Sequence, residues 1–76
     1  MTKIAHVQPK GTPQMTVYYD QKAKQNPYRV YIEGYKWNPE RGYAMPFKHE
    51  RSRYADLASA VEEMLLYAGT HNEEGR

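Results

Sequence analysis

The chain has 76 residues, enough for one domain and no second. Eleven Lys and Arg against nine Asp and Glu leave a formal net charge of +2, too balanced for a histone-like tail and too basic for an acidic mimic of DNA. No cysteine is present, which excludes disulfides, thiolate metal sites and cysteine nucleophiles.

The longest apolar run, Met64–Ala68, is far short of the roughly 20 residues that cross a bilayer, so no membrane association is expected. Met1–His6 has no apolar signal region, and the default expectation is a cytoplasmic protein. Ile, Leu, Val and Phe together number only ten, beside eight Tyr, four Met and one Trp. Tyr can bury its ring and keep its hydroxyl wet, so the core must be thin and lean on Tyr and Met. A homodimer would supplement so small a core.

Residues 1–13 carry Pro9, Gly11 and Pro13 and read as a flexible N-terminal arm, with Ile4–Val7 as the one stretch able to add a short strand. Gln14–Asp20 is β-rich and forms a first strand. Tyr28–Trp37 is the second, in which Tyr28, Val30 and Ile32 alternate with Arg29, Tyr31 and Glu33. Gly34 marks a bulge or a close backbone approach. Asn38-Pro39-Glu40-Arg41-Gly42 is a turn, with Asn to bond its own backbone, Pro to fix φ and Gly to adopt positive φ. Tyr43–His49 returns as a third strand, at a sheet edge because Pro46 lacks an N–H. Tyr54–Ala68 is a helix by the spacing of Tyr54, Leu57, Val61, Met64, Leu65 and Ala68, capped by Ser52 or Asp56 and ended by Gly69. Residues 70–76 read as a disordered tail. The expected fold is therefore α+β: a three-stranded antiparallel meander (β-β-β-α) over residues 14–69, with one C-terminal helix on one sheet face. Met15, Val17, Tyr28, Val30, Ile32, Met45 and Phe47 are expected to look toward that helix.

Alternation leaves Tyr18, Arg29, Tyr31 and Lys48 on the open face, joined by Tyr35 and Trp37 if Gly34 does not shift the phase. The charge is segregated. Residues 1–53 hold ten basic and four acidic side chains, net +6, while residues 54–76 carry −4. Cations interleaved with rings suit nucleic acid, the cations on phosphates and the rings on bases or sugars. The same mixture suits a protein interface, where Tyr, Trp and Arg act as anchors.

Nothing comparable points to catalysis. His6, His49 and His71 are far apart in the chain, Ser52 and Ser59 read as cap or helix-surface residues, and no metal, phosphate or dinucleotide motif occurs. Neither an enzyme nor a cofactor or metal is expected.

Tyr28–Ala68 resembles in architecture the arm-type DNA-binding domains of phage tyrosine integrases and the related plant ethylene-response domains. The parts that match are Tyr28-Arg29-Val30, the hairpin after it, a charged third strand and an Ala-rich helix. The resemblance implies a three-stranded sheet that enters the DNA major groove. It covers about half of the chain and departs at Pro46.

The sequence thus predicts a non-enzymatic binding module that uses its open, basic-aromatic sheet face. Its leading partner is nucleic acid, with Arg29, Lys36, Arg41 and Lys48 on phosphates, Tyr31, Tyr35 and Trp37 stacking or packing in a groove, and Tyr18 on the same face. The alternative is a small phage-type inhibitor or adaptor that docks the same face on a host or partner protein.

Overall fold

The computed structural model describes residues 1–74. The strands are β1 (Thr2–Val7), β2 (Gln14–Tyr19), β3 (Tyr28–Asn38) and β4 (Tyr43–Tyr54), followed by helix α1 (Leu57–Glu74). One antiparallel sheet has the order β1-β2-β3-β4. The fold is α+β with a C-terminal helix, as expected, but the sheet has four strands rather than three.

The added strand is the predicted flexible arm. Ala5 and Val7 pack against the core opposite Val17 and Met15 of β2. The turn between them is closed by Thr12, whose N–H and hydroxyl both donate to the Pro9 carbonyl (3.1 and 2.7 Å), and by Gly11 at φ +79°. Two apolar side chains at alternate positions suffice for an edge strand, and Ile4–Val7, the stretch of the arm able to add one, lies within β1, which begins two residues earlier.

The hairpin forms where the sequence places it. The Asn38 side-chain oxygen accepts the N–H groups of Glu40 (3.0 Å) and Arg41 (3.3 Å), and Gly42 closes the turn at φ +74°. β4 is an edge strand, as Pro46 requires. Gly34, however, is not a bulge. It pairs in register with Phe47, and the bulge lies at Arg51, between the Val30–Ser52 and Tyr31–Glu50 pairs. Gly34 serves a close approach instead: a Cβ there would stand 3.4 Å from the Phe47 ring and 3.8 Å from Pro13 Cα. β2 stops at Gln14, opposite Glu33, so Gly34–Phe47 stands out as a two-stranded ribbon. Five residues beyond Glu33 give it a reach of about 17 Å.

The core consists of Met15, Val17, Val30, Ile32, Ala60 and Tyr67, with Tyr28, Phe47, Tyr54 and Met64 packed on it. It lies between the sheet and α1, on the predicted sheet face. The helix face differs from the prediction. Tyr54 ends β4, and α1 buries Ala60 and Tyr67 rather than Leu57, Val61 and Leu65; Leu65 is 63% exposed. Two features fix this rotation. Glu63 accepts hydrogen bonds from the Ser52 (2.7 Å) and Tyr54 hydroxyls and pairs with Arg51 at 3.6 Å. The Tyr67 hydroxyl donates to the Pro13 carbonyl at 2.8 Å. Turning Leu65 inward would pull both groups off the sheet.

The N-cap is Asp56, whose carboxylate accepts the Ser59 N–H at 2.9 Å. Gly69 does not end the helix, which continues from Thr70 to Glu74 through the first part of the predicted tail; residues 75 and 76 lie outside the described residues. Gly69 has no positive φ that would stop it. Among the described residues, no helix is long and apolar enough to cross a membrane.

Candidate binding face

The sheet face opposite α1 brings four of the predicted residues together. Tyr18 and Tyr31 meet edge to face with centroids 5.3 Å apart. The Lys48 ammonium sits over both rings, at 4.1 and 4.8 Å. Arg29, on the same face, pairs with Asp20 at 3.3 Å, and its side chain is only 19% exposed. Farther along β4, Arg53 binds Glu50 through two nitrogens.

At the centre lies a carboxylate that sequence reasoning left out of the site. Glu33 accepts hydrogen bonds from the hydroxyls of Thr16 (2.7 Å) and Tyr18 (2.9 and 3.1 Å) and from the Gln14 amide (3.2 Å). Thr16 is fully buried beneath this network. Burial works against ionisation of Glu33, but the bonds from Thr16 and Tyr18 and the charges of Lys3 and Lys48 outweigh it and hold its pKa below the ordinary carboxylate value. Burial, the bond to Glu33 and its negative charge push Tyr18 up to about 12.

A carboxyl whose folded pKa is depressed stabilises the fold above its unfolded pKa of about 4.3, and that contribution is lost as pH falls through the folded value. Urea midpoints should therefore fall more steeply between neutral and acid pH for the wild type than for Glu33→Gln. Parallel curves would show that the carboxylate adds nothing to acid stability.

The remaining candidates lie on the ribbon. β3 and β4 stay in register from Tyr31 to Asn38, so alternation keeps Tyr35 and Trp37 on the face of Tyr31. Tyr35 is 76% exposed and Trp37 62%. Lys36 does not share that face: the unshifted register puts it opposite Met45, on the other side of the ribbon. Arg41 sits in the turn and donates to the Tyr43 hydroxyl at 3.5 Å. The Tyr43 ring, half exposed, is a further aromatic at the tip.

Where the ribbon leaves the sheet, an open hollow of about 570 Å³ is lined by residues of the β1–β2 turn, the start of β2 and both ribbon strands, among them Gln14, Glu33, Tyr35, Pro46, Phe47 and Lys48. Among the described residues, no group of three or more His, Asp or Glu side chains is placed to hold a metal ion. No family model, curated protein or solved structure matches this chain.

Proposed function

We propose that this chain is a non-enzymatic binding module that docks on another protein through the ring-bearing face of the β3–β4 ribbon. One observation carries the reading: Tyr35 and Trp37 share one face of a projecting ribbon and are largely exposed, whereas the cations behind them are engaged. Arg29 is held by Asp20, Arg53 by Glu50, and Lys48 by two rings beside Glu33. Exposed aromatic anchors on a preorganised strand pair suit a protein hot spot.

The segregated charge, +6 over residues 1–53, favours a second reading in which the same face contacts nucleic acid. Titration against duplex DNA, single-stranded DNA and RNA at two salt concentrations separates the two. Each phosphate contact on duplex DNA contributes about −0.9 to the slope of log affinity against log salt. Contacts from Arg29, Arg41 and Lys48 would give about −3, with one unit lost on Arg29→Ala. The protein-docking reading expects no binding to any of the three near physiological salt. Binding with the steep slope would replace it.

A further inference from the structure

We infer that the ribbon captures its partner by strand addition: an extended segment of the partner pairs with the free edge of β3 from Gly34 to Asn38, continuing the line of β2. This inference rests on the protein-docking reading and specifies its mode.

The argument starts from backbone hydrogen bonds. Pairing with β4 uses only one edge of β3, and β2 serves the other edge only as far as Glu33. Among the described residues no strand lies along that edge from Gly34 to Asn38. Alternate residues there present N–H and C=O groups sideways, with nothing but water to bond. The other free edges are guarded. β1 carries a register break between Lys3 and Ala5, and β4 carries Pro46 and the Arg51 bulge, each a device that discourages edge pairing.

The open stretch of β3 also adjoins the hollow of about 570 Å³. This hollow lies open along the ribbon edge, with room for the side chains of an added strand. A second hollow continues it past Gly11, Thr12 and Pro13, again against Gly34, Tyr35 and Phe47. A strand laid here would point alternate side chains to the two ribbon faces. One set meets Tyr35 and Pro46, and the other meets Phe47 and Pro13. The surface of Phe47 and Pro13 is apolar, whereas Gln14, Glu33 and Lys48 stand beside Tyr35, so the segment should be apolar at the positions facing Phe47 and able to hydrogen-bond at those facing Tyr35. Lys36 and Arg41, exposed on the ribbon, favour acidic residues flanking it. Backbone bonds would supply affinity and the side-chain surfaces specificity, as in other cases of β-augmentation.

The test uses the isotope-labelled full chain and a defined probe: an acetylated peptide of alternating valine and threonine, flanked by aspartates. Two N-methylated isomers each block one edge of the peptide. Amide shifts are expected at Gly34–Asn38 and in the Gln8–Pro13 loop, with interstrand proton contacts to β3. One isomer should bind at least about tenfold more weakly, since it forfeits two or more hydrogen bonds, and the other should bind nearly as well as the parent.

Equal binding by both isomers, or shifts along Thr2–Val7 or the outer edge of β4, would overturn strand addition. So would the absence of any shift at about 2 mM peptide, where even millimolar binding shows. These outcomes leave the docking reading standing if Tyr35→Ala with Trp37→Ala still abolishes binding to the natural partner. Loss of neither partner nor peptide in that double variant removes the docking reading itself.

Discussion

Tyr67→Ala should destabilise the fold by about 3–5 kcal/mol, the range for truncating a buried large aromatic. Tyr67 is 9% exposed, closes the core over Met15, Val17, Val30 and Ile32, and anchors α1 to the β1–β2 turn through Pro13. Truncation removes the ring, leaves a cavity, and strips the Pro13 carbonyl of its side-chain donor. Tyr67→Phe isolates the hydroxyl and should cost about 0.5–1.5 kcal/mol. Leu65→Ala is the contrast. With Leu65 63% exposed, its truncation should stay within about 0.5 kcal/mol of wild type. Urea denaturation of the three variants decides which face of α1 is buried. A Leu65 effect larger than that of Tyr67 would mean the helix is rotated from the position described. The stakes are high for so small a core, because a loss of 3–5 kcal/mol can consume most of a small domain's stability.

That contrast also shows what the sequence makes legible. Along α1 two stripes satisfy helical spacing: Leu57, Val61 and Leu65, and Ala60, Met64 and Tyr67. Weighing side chains by hydrophobicity picks the leucines. The structure buries the second stripe because Ala60 lets the helix approach the sheet and Glu63 finds three partners on β4. Those partners depend on the Arg51 bulge, which nothing in Glu50–Arg53 announces.

The strands behaved differently. Period-two alternation in β3 and the Asn38–Gly42 turn were readable because each rests on local chemistry: pleat geometry, an Asx side chain and a positive φ. β1 was readable only in part: Ile4–Val7 showed as a possible short strand, but its pairing depends on a β2 neighbour rather than on its own short pattern.

The site was legible to the same extent. Its composition and most of its face follow from alternation, since Tyr18, Arg29, Tyr31, Tyr35, Trp37 and Lys48 do share one side. The pairing of its charges does not. Asp20, Glu33 and Glu50 reach the cations only through register and loop geometry, and they turn an apparent basic patch into a nearly balanced one.

The second large effect is expected in binding rather than folding. Trp37→Ala or Tyr35→Ala should weaken binding to a protein partner by about 2–4 kcal/mol for whichever ring is the better anchor. Thermal stability should barely move, because both side chains are largely exposed. Lys36→Ala, on the opposite ribbon face, removes at most an exposed charge contact to the partner and should cost less than either ring, under about 1 kcal/mol. Arg29→Ala should act mainly through the loss of its Asp20 pair, a matter of stability more than affinity. The partner retained by wild-type protein but lost by the double ring variant would be purified and titrated calorimetrically against each single variant. Raising the salt should slow association and leave dissociation almost untouched, because the rings, unlike the cations, carry no charge to screen. If Lys36→Ala or Arg41→Ala cost more than either ring, the interface would be electrostatic, and the nucleic-acid reading would regain the stronger claim.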